Sequence, residues 1–264
     1  MTQWRHKCSL DWMKARQKHL TATDLREYLL PVTKTGRARK ITDENYLKVM
    51  ARKLYNITEQ DCISTGAAAR GHILEPYAID LYNANSSDIK LYHWDDVVIV
   101  KDESRDYGLA FSPDAFDVVV PGNPIVLGCN EVGNAEVVGE VKSYSHERHL
   151  VCCCTPKDQL EERWQVAVAM AVCENIKRAF ILFYDPSMNE QLGLFEYMRD
   201  ELQDEIDMIL EAERKWLQWV DDFFDGLFDY SDIISGPKER EVEIIKAIMK
   251  SEDLNPEGER SVTL

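Results

Sequence analysis

The chain has 264 residues and a mass of 30.5 kDa, room for one large α/β domain with a substantial core. Its 45% apolar and 30% charged residues exclude a disordered chain, and no apolar run approaches the roughly eighteen residues of a membrane helix. The formal charge of −16 argues against phosphate binding by the chain as a whole, yet residues 1–53 hold 13 basic and 5 acidic side chains, net +8, while residues 196–232 hold 3 and 13, net −10.

One end therefore has the sign to meet a phosphate and the other does not. No apolar signal block follows the charged start MTQWRHK, and seven cysteines, with Cys152, Cys153 and Cys154 consecutive, make no disulfide framework. A soluble cytoplasmic protein with free thiols is expected.

No internal repeat and no Gly/Ser/Pro linker divides the chain, which predicts one domain over 1–234 and a tail over 235–264. Residues 12–29 read as helix in two pieces, with Thr21 or Thr23 capping the second. A basic loop follows at 34–40. Over 66–82, Leu74, Ala78, Leu81 and Tyr82 fall at helical spacing, and Glu75 lies at the edge of their stripe. The pattern then turns to short β-branched runs at 97–100, 108–111, 115–120, 125–127 and 135–141. These are too close together for intervening helices and predict an antiparallel meander, with 121–124 and 128–134 as turns. A Cys-rich connection leads to a helix over 158–173 and a strand over 178–184, stopped by Asp185-Pro186. Met198, Leu202, Ile206, Ile209, Trp216, Val220 and Phe224 then repeat at three and four residues and predict one long helix. In the tail, 242–249 is amphipathic and the chain is expected to fray after Ser251.

Chemistry enters at the ends of two of these strands, with Ser112-Pro113-Asp114 before one and Glu140-Val141-Lys142 closing another. An acidic-x-Lys triplet alone means little, since 47 acidic residues and 16 lysines supply roughly three by chance. Three exist, at Asp88, Glu140 and Glu213, and only Glu140 ends a strand preceded by another strand-end carboxylate. Strand residues two apart share a face, so Glu140 and Lys142 project together while Val141 enters the core. If the strand after Asp114 pairs with the strand ending at Lys142, Asp114 lies beside Glu140. Two adjacent carboxylates repel unless a cation sits between them, and all-oxygen ligands select a hard divalent ion, Mg²⁺ or Mn²⁺. Lys142 beside that ion can orient or deprotonate a water, which is the chemistry of phosphodiester hydrolysis.

In sequence order, Trp12-Met13-Lys14-Ala15-Arg16, Leu20-Thr21-Ala22-Thr23, Gly71-His72-Ile73-Leu74-Glu75-Pro76, Lys101-Asp102-Glu103-Ser104 with Ser112-Pro113-Asp114, Glu140-Val141-Lys142 with Gln165-Val166, and Tyr184-Asp185-Pro186-Ser187-Met188 form a set. Over residues 12–188 this set resembles the PD-(D/E)XK nuclease superfamily, and within it the lambda-exonuclease-like, YqaJ-type viral recombinase family of phages. The resemblance implies an α/β fold with a restriction-endonuclease-like core, a mixed sheet with a central antiparallel meander flanked by helices. It implies that Glu75, Asp114, Glu140 and the carbonyl of Val141 surround a Mg²⁺, for which Mn²⁺ substitutes, and that Lys142 and Gln165 place the attacking water. It also implies that Arg16, Thr23 and Ser112 hold a terminal 5′-phosphate, as an Arg fork and two hydroxyls suit. The activity implied is 5′-to-3′ digestion of double-stranded DNA ends, leaving 3′ overhangs for phage recombination. The implied assembly is a homotrimeric ring working with a single-strand annealing protein in a bacterial host. The chain departs from the family at Ala115, where Gly is frequent, in the long excursion between Asp114 and Glu140, and in the tail beyond Gly236.

Two rivals remain on the sequence, an endonuclease or Cas4-like end trimmer, and a catalytically silent DNA-end or protein-binding module using the acidic helix. An iron–sulfur cluster at Cys152, Cys153, Cys154 and Cys173 is not expected, because consecutive cysteines do not ligate one cluster comfortably. His146 and His149 read as solvated loop residues near the motif, Trp164 as core, and Trp216 and Trp219 as a packed helix face.

Overall fold

The computed structural model describes residues 5–33, 37–86, 88–119, 122 and 124–229; residues 34–36 of the basic loop and the expected tail elements lie outside them. The chain divides into two units, residues 1–217 and 218–264.

In the first unit, β1 (Arg5–Lys7) pairs antiparallel with β2 (Ile63–Thr65). Between them run α1 (Leu10–Gln17), α2 (Ala22–Asp24) continuing as a π turn over Leu25–Leu29, and α3 (Asp43–Leu54). Ser9 caps α1 by accepting from the Trp12 N–H at 3.2 Å, and Trp12 Nε1 donates to the Val97 carbonyl at 3.3 Å, fixing that helix to the strand region. The cap of α2 is Thr21, whose N–H and hydroxyl both donate to Asp24, a capping box with an acidic partner. The helix α3 was not expected. Its start is a second capping box, Thr42 with Asn45, whose amide replaces the Glu or Gln that would have signalled it.

The helix α4 (Ala67–Asn85) starts after Gly66, which sits at φ +67°, and buries Leu74, Ala78, Ile79 and Tyr82 against the main sheet. That sheet has five strands in the order β10 (Leu192–Met198), β9 (Arg178–Tyr184), β8 (Val137–Lys142), β6 (Ala115–Phe116) and β3 (Tyr92–His93). Only β8 and β9 are parallel. A separate three-stranded sheet joins β5 (Ala110–Phe111), β4 (Val98–Val100) and β7 (Val126–Gly128), with β4 and β7 parallel. The fold is thus the expected α/β type with a mixed sheet, but the strands expected in one meander are shared between two sheets. The division falls at Ser112-Pro113-Asp114. Proline has no N–H to donate and cannot continue a ladder, so the chain leaves one sheet after Phe111 and enters the other at Ala115.

The strand β6 is only two residues long, against six expected, because Asp117 turns back to the start of β8 and takes the Glu136 N–H on its carboxylate. Gly139 lies opposite Ala115, where a Cβ would meet Leu91 at 3.0 Å and the Ala115 Cβ at 3.3 Å. The two strands approach through their smallest residues, and Ala115 has no positive φ that would demand glycine.

The Cys-rich connection is helix α5 (His146–Cys154). The expected helix over 158–173 begins later, as α6 (Arg163–Val172), after a 3₁₀ turn at Lys157–Gln159 and the buried, extended Leu160. The edge strand β10 was also unexpected. It ends at Met198, so that residue belongs to the sheet, and α7 (Gln203–Asp229) starts after a further 3₁₀ turn. In the second unit, the described part of α7 stacks Trp219 on Phe223 at 5.0 Å between ring centroids. Among the described residues no helix is long and apolar enough to cross a membrane.

Candidate active site

Because Ala115 pairs with Gly139, the antiparallel register carries Asp114 to the edge of β8 at Glu140. There the Asp114 carboxylate accepts the Val141 N–H at 2.7 Å, a side chain taking the ladder bond that β6 is too short to supply. The N–H and C=O of one strand residue face the same edge, so the Val141 carbonyl also faces the Asp114 side. The Val141 side chain points the other way and is buried with Leu74, Ala78 and Leu182. Glu140 and Lys142 project together from β8 as an ion pair, as their spacing requires.

Glu75 reaches the same region from α4. One oxygen lies 3.3 Å from His72 Nδ1 and the other 3.7 Å from His93 Nε2, while His93 Nδ1 lies 3.6 Å from Asp95. A cavity of about 200 Å³ is lined by Arg16, Glu75, Ser112, Asp114, Glu140, Val141, Lys142 and Gln165, together with His6, His72, Trp94, Asp95 and Asp96. The Ser112 hydroxyl is buried and has no hydrogen-bond partner among the described residues. Arg16 lies 5.3 Å over the Trp12 ring.

Thr23 is elsewhere. It lines a second cavity of about 680 Å³ with Arg16, Thr21, Asp24, Arg52 and Lys53, so Arg16 belongs to both walls while Thr23 and Ser112 share neither. There the buried Asp24 binds Lys53 Nζ at 2.5 Å and Arg52 at 3.3 Å.

The electrostatics follow from this crowding. Burial, then Glu140, then Glu75, push the Asp114 carboxyl well above the usual range, against Lys142 and the Val141 N–H. Burial acts against the Lys142 ammonium, but Glu140 and Asp114 outweigh it and raise its pKa. Burial would also raise Glu75, yet hydrogen bonds from His72 and His93 bring it down to about 2. Burial lowers the pKa of Arg16 despite the attraction of Asp24, Glu140 and Asp114, and a guanidinium remains charged regardless.

Among the described residues no three His, Cys, Asp or Glu side chains already converge as a metal cage. The donor set nevertheless fits a hard divalent cation. Its oxygens are carboxylates and a carbonyl, and Asp114, driven toward protonation by its neighbours, is the group a cation would return to its charged form.

Sequence reasoning missed His72, His93 and Lys53. His72 had a local signal, three residues before Glu75 on one helix. His93 had none, since the β3–β6 pairing that brings it opposite Ala115 joins distant segments. The third triplet is structural, with buried Glu213 accepting from Leu109 N at 2.8 Å and Lys101 at 3.0 Å. His149 is buried rather than solvated, and His146 is bound to Asp185. Trp164 is only half-buried and lies under Arg163, not in the core. Trp216 is fully buried and donates to the Tyr107 carbonyl at 2.8 Å.

No protein-family model matches the sequence, and no curated protein matches it. Two solved structures share the fold. One is LHK-Exo in complex with dAMP, with a TM-score of 0.57 and 17% identity over 86% of this chain and 100% of that one. The other is LHK-Exo, an alkaline exonuclease from Laribacter hongkongensis, with a TM-score of 0.50 and 15% identity over 83% and 100%.

Proposed function

We propose that the protein is a divalent-metal-dependent deoxyribonuclease, a Mg²⁺-dependent 5′-to-3′ exonuclease acting on double-stranded DNA ends. The observation that carries this reading is the meeting of Asp114 and Glu140 across the β6–β8 pairing, with Lys142, Glu75 and Gln165 around the same cavity. The fold shared with an alkaline exonuclease supports it, and so does a mononucleotide, dAMP, in one of those structures.

Glu75, Asp114, Glu140 and the Val141 carbonyl would hold the metal. When bound, it acidifies water and stabilises charge on a phosphoryl oxygen. Lys142, paired with Glu140 on the same face of β8, is placed to hold the attacking water and the developing negative oxygen. Gln165, in the first turn of α6, orients the same water through its amide. Arg16 holds the terminal 5′-phosphate with the Ser112 hydroxyl, which has no partner among the described residues, and Thr23 would join them from the second cavity that Arg16 also lines.

The catalytic domain of this reading is 1–234. The 3′ overhangs serve phage-type recombination with a single-strand annealing protein, and a homotrimeric ring encloses the DNA, in a phage or prophage protein of a bacterial host. The test is a time course on linear duplexes with 5′-phosphate or 5′-hydroxyl ends, with and without Mg²⁺, beside closed circular DNA. Shortening of 5′-phosphorylated strands to mononucleotides, only with metal, is the expected result. Nicking of circles would favour an endonuclease, and no hydrolysis under any divalent metal would leave a binding module.

A further inference from the structure

Arg70 lies on α4, five residues before Glu75, and does not line the catalytic cavity. Its guanidinium reaches across to where β8 ends. Nη1 donates to the carbonyls of Ser143 at 3.0 Å and Tyr144 at 2.5 Å, and Nη2 donates to Asp185 at 3.2 Å. Ser143 and Tyr144 are the first two residues after Lys142, and Asp185 is the first after β9. The β8–β9 ladder closes at Lys142 and Phe183, so the guanidinium ties down backbone that has left the sheet.

Asp185 is itself immobilised. It is fully buried, and beyond Arg70 it accepts from Ser187 N at 3.1 Å and Ser187 Oγ at 2.6 Å, while its other oxygen meets His146 Nδ1 at 2.5 Å. Ser187 Oγ also lies 3.1 Å from that same nitrogen, so the trio is not a hydrolytic triad, which needs the nucleophile and the carboxylate on opposite ring nitrogens.

One planar side chain thus connects the helix that carries Glu75, the exit of the strand that carries Glu140 and Lys142, and the exit of the neighbouring strand. The carboxylates of the site repel one another, and in the absence of a cation their separation depends on what holds their backbones. We propose that Arg70, anchored by Asp185, is a positioning residue that sets the spacing of Glu75 against Glu140 and Lys142, and through it metal affinity and turnover. The proposal rests on the nuclease reading above. A guanidinium suits the task because its donors are fixed in one plane and can serve three acceptors at once, whereas an ammonium is a single point.

The test uses the full-length chain as wild type, Arg70→Lys, Asp185→Asn and the double variant. Mn²⁺ binding is read from the spin-resonance signal of the free ion, alongside Mg²⁺ titrations of exonuclease activity and thermal unfolding in chelator. Each single variant is expected to weaken Mn²⁺ binding and lower kcat by about tenfold, the usual size of an outer-sphere loss at a metal site. KM for DNA ends should stay within about twofold, and the double variant should be no worse than the worse single one, because the two residues act as one unit. Should Arg70→Lys fail to fold, the nearly isosteric Asp185→Asn carries the same test. Variants that melt earlier yet bind Mn²⁺ and turn over like wild type would overturn the positioning role alone. A wild type that binds no Mn²⁺ and cuts no DNA would overturn the nuclease reading and this inference with it.

Discussion

Replacing Asp114 by Asn should remove catalysis and at the same time make the metal-free protein more stable. Asp114 is partly buried, and its carboxyl is driven toward protonation by burial and by Glu140 and Glu75, with Lys142 and the Val141 N–H opposing. The amide keeps the shape, its oxygen still accepts from Val141, and the repulsion by Glu140 and Glu75 is gone. Relieving one poorly compensated carboxylate is worth about 1–2 kcal/mol on the general scale for such groups. For a domain of this size that corresponds to a melting temperature higher by about 3–6 °C. The sign with pH is definite. A carboxyl whose folded pKa lies above its unfolded value binds more protons in the folded state, so stability falls as pH rises from the ordinary carboxylate range through the raised value. In chelator the gap between the variant and wild type should therefore open as pH rises from about 4 and close in acid. With saturating Mg²⁺ the order reverses, because only wild type gains binding energy. Thermal unfolding across pH, with and without Mg²⁺, reads all of this. A variant that melts below wild type in chelator at neutral pH, or that still digests DNA, refutes the reasoning.

Lys142→Ala should retain DNA-end binding, measured by fluorescence anisotropy in Ca²⁺, and lose about a hundredfold in single-turnover cleavage, the common size for a group that positions a reacting water. Arg16→Ala should abolish the preference for 5′-phosphate over 5′-hydroxyl ends, a loss of roughly ten- to hundredfold on phosphorylated substrate alone; an intact preference would return Arg16 to a packing role over Trp12. Asp24→Ala should cost about 3–5 kcal/mol in urea unfolding at neutral pH, because it leaves the buried Lys53 ammonium with the His19 carbonyl but no counter-charge. Burial acts to raise the Asp24 pKa, but Lys53 and Thr21 win and hold it below the ordinary value. The wild-type contribution is therefore complete above the ordinary carboxylate pKa and is lost as pH falls from there through the lowered folded value, while the variant shows no such loss.

What could be read from the sequence is what local geometry determines. Glu140 and Lys142 share a face because strands repeat every two residues, and Glu75 stands beside the Leu74 stripe because helices repeat near 3.6. Arg178–Tyr184 is a strand at the expected bounds because seven β-formers are stopped by Asp-Pro. The losses come where pairing partners decide. Residues 97–128 hold good strands, but nothing local says that β4 pairs parallel with β7 and leaves β6 to another sheet. Met198 fits the helical stripe of α7 by spacing and is held in β10 by its pairing with Arg178. Three cysteines in a row look like a connection, and they form a helix packed on β9 and β10. For the site, the acidic residues were legible because their spacing carries the chemistry, whereas His93 and Arg70 act through contacts between distant segments. Of Arg16, Thr23 and Ser112, Arg16 alone lines both cavities, which no local spacing announces.

The order of events in the proposed reaction follows from the charges around the catalytic cavity. Its walls carry Arg16 and Lys142 against Glu75, Asp95, Asp96, Asp114 and Glu140, formally 2 positive and 5 negative, net −3. A phosphodiester brings a further negative charge into that cavity, and charges a few ångströms apart in a partly desolvated site repel by several kcal/mol. Protonation of Asp114 removes only one of the five and removes a metal ligand with it. A divalent cation does more, because it raises the net charge by two, from −3 to −1, while keeping every carboxylate ionised. In the proposed reading the DNA end is therefore expected to be received first by the cations of the first 53 residues, net +8 in the sequence, and to enter the cavity once its carboxylates are compensated. Arg16 stands where the two regions join. A chelated wild-type protein that seated a 5′-phosphorylated end as tightly as the metal-loaded form would break this order, since it would mean that the carboxylates do not control entry.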